Sequence, residues 1–288
     1  MKKAMHMLLW TVDVQEEHYP LFGQLKQMGF DAVEVPIIAG DEAGYKKMAQ
    51  AITDAGLECS TLAFTVADTN PATTDPKIRQ TCLDYLKWTA DMSCILDSKM
   101  IAGPFYGPHG DFTRPAPLDE EKQRSAEVLK EYAQYAAKSG IRLGIEPLNR
   151  FETYFLNTAA DAKKFVDLVG EDNLGVLYDT HHANIEENSV IEAIKCLGDS
   201  LFHVHFSESH RGELGTGQVD WSSNVKALKE VGYDDWITFE CFSDDVEILS
   251  DAAHVWRKAF TTKPEVCQRA VDFVNGWFPR TQVAAAGK

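Results

Sequence analysis

The strongest constraint on the fold is a repeated alternation between short apolar segments and longer amphipathic ones. The short segments are rich in β-branched and aromatic residues, and in the longer ones apolar residues return every three or four positions. The strand-like segments are at 6–11, 31–37, 58–64, 99–103, 141–146, 174–179, 201–206 and 236–241. The helix-like segments are at 16–28, 43–55, 76–96, 119–139, 159–169, 189–196, 222–231 and 247–260, with one more after Pro264. This order predicts a parallel sheet whose strands are connected by helices.

The eight units favour a closed barrel over an open sheet. No change in composition divides the chain, and no G-x-G-x-x-G motif follows the first strand. The length of 288 residues suits one barrel domain with insertions. We therefore predict a single α/β domain, a (β/α)8 TIM barrel, over residues 1–280 and a flexible tail over 281–288.

The net charge limits the kinds of partner that this chain can bind, and the cysteine content indicates its compartment. The net charge of -16 would repel the phosphates of nucleic acids and anionic membrane surfaces. The six cysteines form no C-x-x-C pair, which is typical of a reducing compartment. No run of 18 apolar residues suggests a membrane span. We expect a cytoplasmic protein that acts on a small neutral or cationic molecule, without nucleic-acid or membrane partners.

The last four predicted strands each end in a residue that can bind a metal ion: Glu146, Asp179, His205 and Glu240. In a barrel of this kind the active site lies at the C-terminal ends of the strands. Three carboxylates brought together there would repel one another unless a cation lay between them. This donor set favours one divalent ion, with Mn²⁺ or Co²⁺ preferred and Mg²⁺ as an alternative.

The positions of Glu146 and Glu240 also suggest a reaction. Strands five and eight of an eight-stranded barrel stand about 135° apart, so the two carboxylates face each other across the mouth. One could remove a proton from one face of a substrate carbon while the other returns a proton to the opposite face. A metal ion would stabilise the enediolate formed between the two steps.

Three stretches of the sequence resemble the ketose 3-epimerases of the tagatose and psicose (allulose) type, in the xylose isomerase-like TIM-barrel superfamily. They are Ile145-Glu146-Pro147-Leu148-Asn149-Arg150-Phe151-Glu152, Asp179-Thr180-His181-His182, and His203-Val204-His205 followed by Glu208, Ser209 and Arg211. The resemblance is close over residues 140–260 and loose before them. It implies epimerisation of a free ketose at C3 and assembly as a dimer or tetramer.

The resemblance also implies roles for individual residues. Glu146 and Glu240 would be both metal ligands and the acid/base pair, and Asp179 and His205 would complete the metal site. Glu152, His182, Arg211 and Phe242 would contact the sugar. This chain departs from the family pattern at Cys241, where well-known members have proline, and in the loop at 103–117.

Other positions admit two interpretations. The long loop 103–117 suggests a lid whose aromatic side chains contact a sugar. Trp10 and Glu34 fall where cleft residues occur, although either could instead pack in the core or support a ligand.

His203 shares a strand face with His205, and the family spacing selects His205 as the ligand. His181 and His210 are expected beside the site or at the surface. The glycine-containing segment 214–217 is a weak match to a phosphate loop, which favours an unphosphorylated sugar.

Several alternatives remain open from the sequence. The same metal and carboxylates could serve an aldose–ketose isomerase or a dehydratase of a polyol or keto sugar. An endonuclease IV-like nuclease shares the metal-binding skeleton, but this chain has Ser209 and Arg211 where that family has an Asp-x-His pair. A non-catalytic sugar-binding barrel is the remaining alternative.

Overall fold

The structure, a computed structural model, describes residues 1–110, 112 and 117–279. In this part of the chain eight strands alternate with helices. The strands are β1 (Lys2–His6), β2 (Ala32–Pro36), β3 (Glu58–Leu62), β4 (Met100–Gly103), β5 (Arg142–Ile145), β6 (Leu174–Asp179), β7 (Leu201–Phe206) and β8 (Trp236–Phe239). The α-helices are α1 (Pro20–Met28), α2 (Glu42–Asp54), α3 (Pro76–Ile95), α4 (Asp119–Ala137), α5 (Ala159–Val169), α6 (Thr180–Glu186), α7 (Val190–Leu197), α8 (Trp221–Glu230), α9 (Glu247–Ala252) and α10 (Lys263–Trp277).

The strands close into one parallel barrel in sequence order, which confirms the predicted fold. β1 pairs with β2 on one side and with β8 on the other, where Met5 lies beside Phe239. In the register of β6 and β7, Asp179 is paired with His205. Because all the strands run in the same direction, their C-terminal ends meet at one mouth of the barrel.

The hydrophobic core lies between the strands and the surrounding helices. Strand residues such as Val35 and Ile145 are fully buried, as are helix residues such as Phe22 and Ile194. Complete burial of a side chain of this size contributes roughly 1.5–3 kcal/mol to folding. This shell supports the strand ends that carry the polar side chains described below.

Two elements differ clearly from the sequence prediction, the first strand and the helix after β8. β1 ends at His6 and is followed by a 3-10 helix over Met7–Leu9, so the apolar run at 6–11 is not a strand. His6 Nδ1 accepts a hydrogen bond from the backbone N–H of Leu8 and begins this helix. The helix predicted at 247–260 ends at Ala252, since His254 adopts a left-handed backbone conformation with φ of 55°.

The short helix α6 was not predicted. Asp179 caps it by accepting a hydrogen bond from the backbone N–H of His182. None of the helices in the described ranges is both long and apolar enough to cross a membrane. The tail predicted at 281–288 lies outside the described residues, and the predicted domain limits stay a prediction.

Candidate active site

The four side chains selected as metal ligands meet at the mouth of the barrel. Glu146 directly follows β5, Asp179 ends β6, His205 lies near the end of β7 and Glu240 directly follows β8. One donor atom from each lies within 4.8 Å of the donors of the other three. All four residues are buried. The group could therefore hold a single metal ion.

The backbone and neighbouring side chains orient these donors. The N–H of Glu146 donates to the carbonyl of Gly103 on β4, and the N–H of Glu240 donates to the carbonyl of Phe206 on β7. Asp179 uses Oδ1 to cap α6, so only its Oδ2 is directed to the site. His205 places Nδ1 3.8 Å from Oε1 of Glu146 and 3.6 Å from Oε1 of Glu240.

The electrostatics of the group fit a divalent cation. Burial raises the pKa of Glu146 well above its ordinary value, and the carboxylates of Glu240 and Asp179 add to this effect against the opposing charge of His205. Burial also raises the pKa of Asp179 to about 7, although Arg211 opposes the shift. A cation would favour the charged form of each carboxylate. Asp179 Oδ2 and His205 Nδ1 are buried and have no hydrogen-bond partner among the described residues, as expected of atoms reserved for a metal.

Arg211 is the main positive charge beside this group. Its side chain is buried and its guanidinium forms an ion pair with Glu240. It also donates to Ser207 Oγ at 3.1 Å and lies 4.9 Å from the centre of the Phe242 ring. Burial would raise the pKa of Glu240, but Arg211 and His205 outweigh burial and lower this pKa below its ordinary value. The backbone of Arg211 is left-handed, with φ of 60°, which is unusual for a side chain of this size.

Glu152 and His182 form a second polar wall of the site. The backbone N–H of Asn149 donates to His182 Nδ1 at 3.0 Å, and the guanidinium of Arg211 lies 3.1 Å from Nε2 of the same ring. Nε2 lies 3.6 Å from Oε1 of Glu146. Burial lowers the pKa of His182 well below its ordinary value, which keeps the ring neutral. Glu152 accepts a hydrogen bond from the Asn149 side chain at 2.8 Å and lies 3.5 Å from Arg211.

A cavity of about 270 Å³ opens beside these residues. One wall is polar and contains Glu146, Glu152, His182, Arg211 and Glu240. The rest of the lining is mainly apolar and includes Leu8, Val12, Leu62, Phe64, Phe242 and Leu249. Such a cavity would bind a small polar molecule with one reactive, oxygen-rich end and one end resting on hydrocarbon.

A buried polar layer lies directly below the metal-binding group. Glu34 on β2 is fully buried and contacts His203 and His205 on β7, across the interior of the barrel. Of the two interpretations of Glu34, the structure supports the one that places it behind a ligand. Trp10 does not line the cavity and borders a neighbouring groove beside α9 instead.

The expectation that the aromatic residues of loop 103–117 contact the substrate is wrong for two of them. Phe105 and Tyr106 are almost fully buried, and Tyr106 packs against Phe155 and Phe165. Pro104 and His109 line the cavity. Residues 111 and 113–116 of this loop lie outside the described residues.

The flanking histidines lie beside the site, as expected. His181 is buried with Nδ1 3.1 Å from the carbonyl of Glu208, whereas His210 is partly exposed and contacts Thr216. The sequence pattern did not single out His6, Asn149 or Ser207. His6 ends β1 and Ser207 directly follows β7, and this position was the available signal for these two, whereas Asn149 lies farther along the loop after β5.

The comparisons with known proteins agree with this geometry. A family model described as the xylose isomerase-like TIM barrel matches residues 22–262, which defines the class of protein. An L-ribulose 3-epimerase of Methylomonas sp. (strain DH-1) is 32% identical over 94% of this chain and 95% of its own length. A ketose 3-epimerase of Arthrobacter globiformis is 31% identical over 96% of each chain. The crystal structure of a D-allulose 3-epimerase from Methylomonas sp. has a TM-score of 0.91 at 30% identity and covers 96% of this chain and 98% of its own. The chain therefore belongs to the ketose 3-epimerases, carbohydrate isomerases of the xylose isomerase-like class.

Proposed function

We propose that this protein epimerises a free ketose at C3 with the help of one divalent metal ion, preferably Mn²⁺ or Co²⁺, with Mg²⁺ as an alternative. The observation that carries this proposal is the meeting of Glu146 and Glu240, from β5 and β8, with Asp179 and His205 beside one cavity. These four residues would hold the ion. A bound ion would polarise the ketone and stabilise the negative charge that develops on its oxygen.

Glu146 and Glu240 perform the proton transfers in this proposal. One carboxylate removes the proton from C3, which leaves an enediolate, and the other returns a proton to the opposite face of that carbon. The direction of the reaction decides which of the two acts as the base. Their attachment to strands on different sides of the barrel provides the two faces.

The remaining site residues bind and orient the sugar. The neutral ring of His182 lies in the cavity wall beside Glu146, and the guanidinium of Arg211 supplies positive charge where the enediolate forms. Glu152 accepts hydrogen bonds from sugar hydroxyl groups. Phe242 packs beside Arg211 and forms part of the apolar wall that would contact the carbon chain of the sugar.

The contacts of Glu208 support a substrate without a phosphate group. The glycine-containing segment 214–217 follows β7, where barrels of this type often bind phosphate. Here the N–H of Gly215 donates to Glu208 Oε2 at 2.8 Å, and the N–H of Val219 donates to Glu208 Oε1 at 3.2 Å. The carboxylate therefore occupies these donors and would repel a phosphate.

The positions of Ser209 and Arg211 disfavour the nuclease alternative. Ser209 Oγ accepts a hydrogen bond from the N–H of Gln218, and Arg211 is paired with Glu240. A cation at this position would repel further metal ions. A site for several metal ions, as in an endonuclease IV-like enzyme, would need acidic or imidazole donors at these two positions.

The test compares metal-free enzyme with enzyme loaded with Mn²⁺ or Co²⁺. Each form is incubated in D₂O with D-fructose, D-tagatose, D-allulose or L-ribulose, and the products are separated and analysed by NMR. Metal-dependent formation of the C3 epimer with deuterium at C3 is the expected result. Deuterium at C1 or C2 would instead indicate an aldose–ketose isomerase, and loss of water would indicate a dehydratase.

A further inference from the structure

The buried layer below the metal-binding group forms a connected network of polar contacts, some of them hydrogen bonds and others close ion-pair contacts. Glu34 is fully buried and lies beside His6 in the register of β1 and β2. Its Oε1 is 2.7 Å from His205 Nε2, and its Oε2 is 2.7 Å from His203 Nε2. Ser60 on β3 donates to the same Oε2 at 2.9 Å. One carboxylate thus connects side chains from β1, β2, β3 and β7.

The proton on His205 can be placed from these contacts. Nδ1 faces Glu146 and Glu240, on the side where a metal ion would bind. An imidazole that binds a metal through one nitrogen carries its proton on the other nitrogen. With a metal ion on Nδ1, Nε2 would therefore carry the proton, and the nearest carboxylate oxygen is Oε1 of Glu34 at 2.7 Å.

His6 extends this network to a second proposed ligand. Its Nδ1 accepts the N–H of Leu8, so a neutral ring carries its proton on Nε2. This nitrogen lies 3.6 Å from Oε1 of Glu34 and 3.8 Å from Oε1 of Glu240. The proton of His6 is thus located between the buried carboxylate and the ligand carboxylate.

We propose that Glu34 is a positioning residue for the metal site: it fixes the tautomer and orientation of His205, and His6 connects it to Glu240. Partners of this kind behind a ligand raise its basicity and hold its ring in place. The inference rests on the proposed metal site, but it adds a residue that never contacts the sugar. It predicts that metal binding depends on a carboxylate outside the ligand group.

The distances disfavour a second metal site at Glu34, His203 and His205. A tetrahedral metal ion about 2.0–2.2 Å from a nitrogen and an oxygen would hold these two atoms more than about 3 Å apart. Both contacts from Glu34 to the histidines are shorter, at 2.7 Å, and the one to His203 is a hydrogen bond.

The substitution Glu34→Gln tests the proposal, because it keeps the shape of the side chain but replaces one acceptor oxygen by an NH₂ donor. Ser60, His203 and His205 contact the carboxylate oxygens and His6 lies farther away, so the NH₂ group would replace an acceptor beside at least one of these groups. We expect the affinity for Co²⁺ to fall roughly 10–100-fold, measured by titration calorimetry on protein without sugar. We also expect the visible absorption bands of bound Co²⁺ to shift, since they report the geometry around the ion.

Glu121→Gln is the matched control. Glu121 is also a buried glutamate, and it accepts a hydrogen bond from the backbone N–H of Leu118 at the start of α4, outside the cavity lining. This variant should bind Co²⁺ with unchanged affinity and unchanged absorption bands. If Glu34→Gln behaved in the same way as Glu121→Gln, Glu34 would be only a packing residue and the proposal would be overturned.

A measurement on the wild-type protein covers the case in which Glu34→Gln does not fold. Histidine rings labelled with ¹⁵N can be followed by NMR while Zn²⁺, a diamagnetic ion, is added. We expect one ring to be perturbed at Nδ1 while its Nε2 keeps a proton, and binding through Nε2 would overturn the proposal. The failures of the two proposals are distinguishable: wild-type protein that binds metal but forms no C3 epimer contradicts only the proposed reaction.

Discussion

At the scale of single residues, several side chains of the site use one polar atom for a contact with the backbone. This contact fixes the position of the other polar atom, which is directed to the site. Asp179 caps α6 with one oxygen and keeps the other for the metal group. His182 accepts a backbone N–H with Nδ1, and this contact fixes the orientation of its ring in the cavity wall. Because each group is held from behind, it needs little rearrangement when a substrate binds.

The first residue-scale prediction concerns the two carboxylates. Glu146→Gln and Glu240→Gln should each lower kcat by at least about 10²-fold, because an amide cannot accept or return the C3 proton. The rate of deuterium incorporation at C3 measures this loss, and metal content is determined in parallel on the same samples. Glu121→Gln is the control for loss of a buried glutamate. A variant that retained full metal and most of its rate would contradict the two-base assignment.

The second residue-scale prediction concerns Arg211. Arg211→Lys keeps the charge but loses the planar fork that contacts Glu240 and Ser207 together. We expect kcat/KM to fall roughly 10–100-fold, the effect of losing a buried hydrogen bond between charged groups.

Arg150→Lys offers a matched control for this loss. Arg150 also forms a forked ion pair, with Glu186, but its side chain is 62% exposed. Steady-state kinetics should show little change for this variant, since exposed ion pairs contribute little. Equal losses of kcat/KM in Arg211→Lys and Arg150→Lys would show that the planar guanidinium group of Arg211 has no special role.

The sequence was sufficient to select four residues that the structure places together, but not the network behind them. Glu146, Asp179, His205 and Glu240 lie at or next to the C-terminal ends of their strands, and these ends meet at one mouth in a parallel barrel. Glu34 and His6 lie deeper, and their role depends on contacts between β1, β2 and β7. Such contacts join residues far apart in the sequence and cannot be derived from local patterns.

At the scale of secondary structure elements, strand ends determine the position of the reactive groups. The carbonyl of Gly103, the last residue of β4, accepts the backbone N–H of Glu146. Gly103 has φ of 120°, and a Cβ atom at this position would lie 2.2 Å from the carbonyl oxygen of Ala63. A side chain here would therefore displace the backbone that supports Glu146.

Gly103→Ala tests this support. We expect a loss of about 3 kcal/mol in the free energy of unfolding, from backbone strain together with the steric clash. Gly140→Ala is the control, since Gly140 also has positive φ, 67°, but no atom within 4 Å of the added Cβ. It should lose only about 1 kcal/mol. Urea denaturation followed by circular dichroism measures both values, and similar losses would show that the contact with Ala63 is unimportant.

Element boundaries were predictable where apolar periodicity was regular. The predicted limits of β6 and β7 coincide with the observed strands because both are continuous buried runs. The apolar run at 6–11 was misleading, since Met7, Leu8 and Leu9 are buried in a 3-10 helix rather than a strand. Helix α6 has seven residues and no apolar period, so only its Asp179 cap could have indicated it.

At the scale of the whole molecule, the candidate metal ligands span half of the barrel. The four donors lie on or next to the consecutive strands β5, β6, β7 and β8, so one bound ion would connect four strands. The closed topology brings the charges together although they repel one another. Assembly as a dimer or tetramer stays a prediction at this scale, and gel filtration with light scattering would measure it.

The last prediction concerns thermal stability with and without metal. A metal ion that binds only the folded protein, at a free concentration of about 100 times its Kd, stabilises the folded state by about 2.7 kcal/mol. This stabilisation raises Tm by roughly 5–10 °C in a chain of this size. Differential scanning calorimetry on chelator-treated protein, before and after addition of Mn²⁺ or Co²⁺, measures this shift.

In Asp179→Asn the amide oxygen can still cap α6, since asparagine is a good N-cap, but the charged ligand is lost. This variant should keep a Tm close to that of metal-free wild type and lose most of the metal-induced rise. An equal rise in both proteins would mean that the ion stabilises the fold from another position.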